Sequence, residues 1–105
     1  MIVTFEEKYL SELYEKGQTT DKKHRYQPEI VRKYKYCIKT LESASSIESL
    51  FKIKSLNYEV LKGDKEGRSS IRVNLKYRIE FTVTTEGVDP VVTVCNILEL
   101  SNHYK

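Results

Sequence analysis

The sequence has few of the residues that build metal centres and disulfides. Its 105 residues include two cysteines, Cys37 and Cys95, and two histidines. The cysteines lie far apart and form no C-x-x-C pair, so the usual zinc and redox spacings are missing. We therefore expect both cysteines to be buried small hydrophobic residues, and we expect the protein to use no metal and no cofactor.

Long hydrophobic runs and the composition of disordered chains are also absent. No apolar run approaches the roughly 20 residues that span a bilayer, and residues 1–7 are acidic where a signal peptide is basic. Pro, Gln and Ser are not enriched, and 39% of the residues are hydrophobic, so the chain is expected to fold. The sequence predicts a cytoplasmic protein with no membrane partner, built as one domain over residues 1–105.

Charged residues are grouped by sign, although the formal net charge is only +3. Residues 22–39 hold seven Lys or Arg against one acid, and residues 52–78 hold eight against three. Two basic segments framed by acidic ones indicate a folded surface with a positive face, as expected for an anionic partner such as nucleic acid. A solvated surface with many ion pairs is the alternative, and charge alone does not decide between them.

The N-terminal part of the chain is patterned for helices. Thr4 and Glu7 fit a capping box, which predicts an amphipathic helix over about residues 6–16 that ends at Gly17. A basic loop follows, in which His24 is predicted to be solvated.

A second helix is predicted to begin at Pro28, which suits a first helical turn. Its apolar stripe faces the core and its opposite face is basic. Tyr34 is predicted to be a core residue, whereas Tyr36 can be exposed. A serine-rich break at residues 43–46 is expected to precede a short third helix.

From residue 58 onward the pattern becomes typical of strands. Glycine and proline separate the predicted strands, which cover residues 58–61, 69–74, 77–84 and 91–100. Connections this short force antiparallel neighbours, and Ile2–Thr4 can add an edge strand. The sequence predicts an α+β fold, with N-terminal helices packed on one face of a twisted antiparallel sheet of about four to five strands. Alternation places Arg72, Arg78 and Glu80 together on the other, open face.

Four segments resemble those of a known family when taken in order. They are LKGDKEG at Leu61–Gly67, SIRVN at Ser70–Asn74, YRIEF at Tyr77–Phe81 and LELSNHY at Leu98–Tyr104. Together they resemble the HigB-type toxins of the RelE superfamily, also called plasmid-maintenance killer proteins, over nearly the whole chain.

The resemblance implies a RelE-like fold and a toxin of a type II toxin–antitoxin system. Such a toxin enters the ribosomal A site as an mRNA interferase and cuts messenger RNA without a metal. A cognate helix-turn-helix antitoxin, similar to HigA, holds it inactive, and operator DNA is bound only through the toxin–antitoxin complex.

Cleaving RNA without a metal requires a base for the 2′-OH proton, positive charge to stabilise the phosphorane, and an acid for the leaving 5′-oxygen. The resemblance assigns the positive charge to Arg72 and Arg78 and the acid or base to His103. It implies that Tyr104 stacks on or hydrogen-bonds a base. Three residues around the glycine hairpin are expected to meet the RNA backbone: Lys62, Lys65 and Arg68.

Four positions depart from the family pattern. Glu59 stands where some relatives have a histidine, so a base at this point would be a carboxylate. Ser101 and Asn102 stand where those relatives have Asp and Tyr, and Tyr104 can replace the missing phenol from the other side of His103. Ser69 stands where the family often has an aromatic residue.

Two other functions remain open from the sequence. The same fold can act as a noncatalytic toxin that inhibits another target such as DNA gyrase, as ParE-type toxins are thought to do. It can also act as a noncatalytic nucleic-acid-binding co-repressor together with its partner.

Overall fold

The computed structural model describes residues 1–102, so the predicted site residues His103 and Tyr104 lie outside the described residues. The helices and strands follow one another in the order β1 (Ile2–Phe5), α1 (Lys8–Lys16), α2 (Pro28–Ser43), α3 (Ile47–Phe51), β2 (Glu59–Val60), β3 (Ser69–Arg72), β4 (Arg78–Glu86) and β5 (Val92–Ser101). Short 3₁₀ turns cover Lys54–Leu56 and Gly63–Lys65. In residues 1–102 no helix has the length and apolar character needed to cross a membrane.

The N-terminal segment differs from the predicted capping box. Thr4 lies in β1, pairs with Asn96 of β5 and donates from Oγ1 to Asn96 Oδ1 at 2.8 Å. Glu7 is the N-cap of α1 and makes no side-chain capping bond. Pairing with β5 gives the backbone N–H and C=O groups of this segment hydrogen-bond partners, so the segment forms a strand instead of a helix cap. Gly17 ends α1 in the left-handed conformation, as predicted.

Helix α2 confirms its predicted start, because Pro28 occupies the first turn. Tyr34 is fully buried, and its hydroxyl donates to the carbonyl oxygen of Leu10 at 2.7 Å, which joins α2 to α1. Tyr36 is 70% exposed. Ser46 caps α3 by accepting from the Ser49 N–H, so the predicted third helix is also confirmed.

The strands form a five-stranded sheet in the order β1-β5-β4-β3-β2. Strands β2 to β5 are antiparallel neighbours, as their short connections predict, whereas β1 pairs parallel to β5 and makes the sheet mixed. No hairpin restricts the direction of β1, because nearly the whole chain separates it from β5. Asn74 shortens β3 relative to the prediction by accepting the N–H groups of Lys76 and Tyr77 in the turn to β4.

The three helices and one face of the sheet share a hydrophobic core. From the sheet it takes Ile71, Ile79, Phe81, Cys95 and Ile97, and from the helices it takes mainly Leu10, Leu13, Tyr34, Ile38, Leu41 and Leu50. The predicted α+β layering is therefore confirmed, and the opposite face of the sheet is left for polar side chains.

We predict that Tyr34→Phe lowers the free energy of unfolding by about 1 kcal/mol, because it removes a buried hydrogen bond between two helices. Tyr36→Phe is the matched control and should change stability by less than about 0.5 kcal/mol, since its side chain is exposed. Urea denaturation of both variants measures the difference, and equal stabilities would contradict the role given to Tyr34.

Cys37 and Cys95 are free and buried, which confirms their predicted role as small core residues. Burial raises the pKa of the Cys37 thiol to about 11 and raises the pKa of Cys95 as well. Both thiols therefore stay protonated and shielded at mildly alkaline pH. We expect a disulfide-exchange reagent to label neither cysteine in the native protein and both in concentrated guanidinium chloride; rapid labelling of native protein would contradict this burial.

Candidate functional site

The sheet face opposite the helices carries two neighbouring rows of polar side chains. Directly paired residues share a face, so the strand register defines both rows. The arginine row crosses β3, β4 and β5 as Arg72, Arg78 and Ser101. The carboxylate row crosses β2 to β5 as Glu59, Ser70, Glu80 and Glu99.

A register shift in β5 completes the carboxylate row. Glu80 pairs with Glu99 whereas Phe81 pairs with Ile97, so Leu98 is the extra residue. An extra residue in one strand reverses which side chains face the core beyond it. Ile97 therefore stays in the core while Glu99 lies on the polar face. The apolar alternation of the sequence changes phase at this point, from Cys95 and Ile97 to Leu98 and Leu100, but the bulge was not predicted.

Arg78 is only 5% exposed, so the prediction that both arginines lie on an open face is wrong for this residue. Its Nε donates to Ser70 Oγ at 2.9 Å, and one terminal nitrogen donates to the carbonyl oxygens of Asn57 at 2.6 Å and Ser70 at 3.3 Å. Asn57 has a left-handed backbone (φ 43°) just before β2. Arg78 thus fastens the segment that leads into β2 onto the sheet.

Arg72 lies directly opposite Arg78 in the register and is half-buried. Within residues 1–102 its guanidinium makes no hydrogen bond and no ion pair. A guanidinium without a protein partner can bind two oxygens of a phosphate at once.

Glu59 is exposed at the end of the carboxylate row. Its Oε1 lies 3.4 Å from Asn57 Nδ2, and Asn57 also accepts from Arg78 through its carbonyl. The structure therefore brings Glu59, Arg72 and Arg78 onto one face, with Asn57 between the carboxylate and the buried guanidinium.

The three basic residues of the hairpin before β3 have different surroundings. Lys62 is exposed. Lys65 Nζ lies 2.6 Å from Glu80 Oε2, and an Arg68 terminal nitrogen lies 3.0 Å from Glu80 Oε1. Glu80 is fully buried. No role for Glu80 was predicted, because its only signal in the sequence is a charge two positions after Arg78 on the same strand face.

An aromatic cluster supports the end of β5. His24 lies in the predicted loop with 30% of its side chain exposed. The prediction that it is only solvated is wrong, because its ring stacks on Tyr9 with centroids 3.6 Å apart and its Nδ1 lies 3.0 Å from Asp21 Oδ2. The hydrogen bond from His24 lowers the pKa of Asp21, and burial raises the pKa of Tyr9 to about 12. Tyr26 donates to the Leu100 carbonyl at 3.0 Å. The Tyr26 bond thus ties the loop before α2 to the end of β5.

The described face combines an exposed carboxylate with two guanidinium groups and a basic hairpin. It can bind a phosphodiester, stabilise negative charge on it and accept a proton from a nearby hydroxyl. Within residues 1–102 no cluster of three or more His, Cys, Asp or Glu side chains is arranged to hold a metal ion.

We predict that Arg78→Ala lowers the free energy of unfolding by roughly 1–3 kcal/mol, because it leaves the Asn57 carbonyl and the Ser70 hydroxyl without their donor. Arg72→Ala is the matched control and should cost less than about 1 kcal/mol. Chemical denaturation compares the two, and a fully stable Arg78→Ala variant would show that these bonds do not support the fold.

Comparisons with known proteins agree with this architecture. Among solved structures, a YoeB/ParE toxin from Agrobacterium tumefaciens is 21% identical, with a TM-score of 0.58 over 99% of this chain and 100% of that one. No curated protein matches the chain. The family described as "RelE-like toxin of type II toxin-antitoxin system HigB" matches residues 3–93. The chain therefore belongs to the HigB-like family of RelE-like toxins.

Proposed function

We propose that this toxin is a ribosome-dependent endoribonuclease that cuts messenger RNA in the A site, without a metal, in the cytoplasm. The observation that carries the proposal is the grouping of Glu59, Arg72 and Arg78 on one sheet face by the strand register. Ser101 pairs with Arg78 in the same register, two residues before His103. The proposed base, the half-buried Arg72 and the buried Arg78 thus lie on one face, together with the end of the strand that precedes the candidate acid in the sequence.

The proposed reaction needs no group beyond the RNA and the side chains. Glu59 accepts the 2′-OH proton as the 2′-oxygen attacks the phosphorus. His103 donates a proton to the 5′-oxygen as the P–O5′ bond breaks, leaving a 2′,3′-cyclic phosphate. Tyr104 holds the neighbouring base by stacking or a hydrogen bond.

The two arginines have different tasks in this reaction. Arg72 has no partner within residues 1–102 and binds the phosphate oxygens directly. Arg78 is held by Ser70 and Asn57, so its charge is fixed before the substrate arrives. Charge that needs no reorganisation lowers the energy of the dianionic phosphorane most effectively.

The basic hairpin supplies the remaining contacts to RNA. Lys62 is exposed, and Lys65 and Arg68 keep about a third of their side chains exposed. Phosphate contacts of this kind provide most of the affinity for RNA backbone without reading its sequence.

A type II toxin has an antitoxin partner, and family membership extends this to the present chain. We propose a small helix-turn-helix antitoxin similar to HigA, whose complex with the toxin binds operator DNA. The gene next to this one should encode it.

The decisive test adds purified toxin to a bacterial cell-free translation reaction and maps message 5′ ends by primer extension, with a ribosome-free control. We expect new ends only when ribosomes are present. Glu59→Gln and His103→Ala should each slow cleavage by about 10²–10⁴-fold, the usual worth of a general base or acid. Arg72→Ala should slow it by about 10²-fold or more.

Arg32→Ala provides the matched control, because Arg32 is an exposed arginine on α2, a helix that packs on the other face of the sheet. It should cleave like the wild type. Intact messages and unimpaired translation with the wild-type toxin would reject the proposal and favour a noncatalytic toxin acting on DNA gyrase or a nucleic-acid-binding co-repressor. Full cleavage by both Glu59→Gln and His103→Ala would reject the assigned acid and base.

A further inference from the structure

Glu80 is the only acidic side chain in residues 1–102 that is buried, and none of its surface is exposed. It lies on the sheet face proposed to bind RNA, two residues after Arg78 on β4. A buried carboxylate beside an anion-binding surface is unfavourable unless cations surround it closely. The burial of Glu80 at this position therefore needs an explanation from its neighbours.

Each oxygen of Glu80 holds a different cation of the basic hairpin. Oε2 lies 2.6 Å from Lys65 Nζ, and Oε1 lies 3.0 Å from a terminal nitrogen of Arg68. The same Arg68 nitrogen lies 3.9 Å from Glu99 Oε1. Both cations keep 36% of their side chains exposed, so a ligand can reach them from solvent while Glu80 holds them from below.

Within residues 1–102 the backbone of the hairpin has few other attachments to the sheet. Leu61 N–H donates to the Arg68 carbonyl at 2.8 Å, which closes the hairpin on itself. Strand β2 contributes only two residues, Glu59 and Val60, to the sheet. Long side chains on such a turn sample many rotamers unless something fixes their ends.

We propose that Glu80 is a positioning residue that fixes Lys65 and Arg68 side by side as one binding site for an RNA backbone phosphate. The proposal rests on the proposed function, since RNA supplies the phosphate. The carboxylate offsets the repulsion between the two cations, and both cations stay partly exposed to solvent. A buried ion pair is seldom more stabilising than a well-packed apolar replacement, so fixing geometry explains Glu80 better than stability does.

Positioning and simple electrostatics predict opposite results for Glu80→Gln. Removing a negative charge from an RNA-binding face should tighten binding if charge alone mattered. If Glu80 holds the two cations in place, the variant should bind more weakly although it is more positive. Glu86→Gln is the matched control, because Glu86 is an exposed residue of the same strand and the same change adds the same charge.

The experiment measures binding of a fluorescein-labelled single-stranded RNA by anisotropy, at several salt concentrations, together with KM and kcat for message cleavage on ribosomes. We expect Glu80→Gln to weaken RNA binding by about 3- to 10-fold and to raise KM similarly, with kcat within about twofold. Glu86→Gln should bind RNA as tightly as the wild type or slightly more tightly. Thermal denaturation shows that each variant is folded.

A Glu80→Gln variant that binds RNA as tightly as Glu86→Gln would overturn the proposal. A variant with a lower melting temperature but unchanged RNA binding and KM would overturn it as well. Arg68→Lys is the second variant, in case Glu80→Gln does not fold. It keeps the charge but not the planar group between Glu80 and Glu99, and it should also weaken binding; wild-type affinity would reject the proposal.

The outcomes separate this proposal from the proposed function. If the wild-type toxin binds RNA without cutting it, the ribonuclease assignment fails and the binding data alone judge Glu80. If the wild type cuts messages and Glu80→Gln matches it in binding and KM, only the role of Glu80 fails. If the wild type neither binds nor cuts RNA, both proposals are wrong.

Discussion

The start of β4 is buried on both faces of the sheet. The rest of the structure depends on packing its apolar side chains on one face and pairing its charged side chains on the other. Ile79 and Phe81 face the helices, while Arg78 and Glu80 face the other way and are equally covered. Charges buried in a strand destabilise a fold unless they are paired and hydrogen-bonded. Within residues 1–102 every buried side-chain nitrogen and oxygen has a hydrogen-bond partner.

These two charges also hold the segments that carry the candidate site. Arg78 bonds the backbone just before β2, where Glu59 begins the strand, and Glu80 binds the hairpin that carries Lys62. Each segment has one short 3₁₀ turn of its own, Lys54–Leu56 before β2 and Gly63–Lys65 in the hairpin. Strand β4 therefore helps to position the segments on either side of β2, which is the arrangement that a preorganised binding surface requires.

Periodic burial explains which elements were predictable. Helix α2 buries one regular face, so its period of 3.6 residues is visible in the sequence. Apolar residues also alternate along β4, as Ile79, Phe81 and Val83, although the start of this strand is buried on both faces. The prediction of a capping box at Thr4 was wrong because Thr4 pairs with β5, more than ninety residues away, and its side chain donates to Asn96. The stacking of His24 was not predicted for a similar reason, because its partner Tyr9 lies in another element.

The candidate site was predictable only in part. Alternation placed Arg72 and Arg78 on one face and the family resemblance brought in Glu59, but the burial of Arg78, the bulge at Leu98 and the linkage through Glu80 were not foreseen.

The sequence by itself determined the order of elements, the helix and strand patterns and the face on which the arginines lie, because these follow from local spacing of apolar residues. Tertiary structure alone decided the parallel edge strand, the register shift and the covered or exposed state of each charge. Those features depend on contacts between residues far apart in the chain, and the local spacing of apolar residues does not specify which distant residues come into contact.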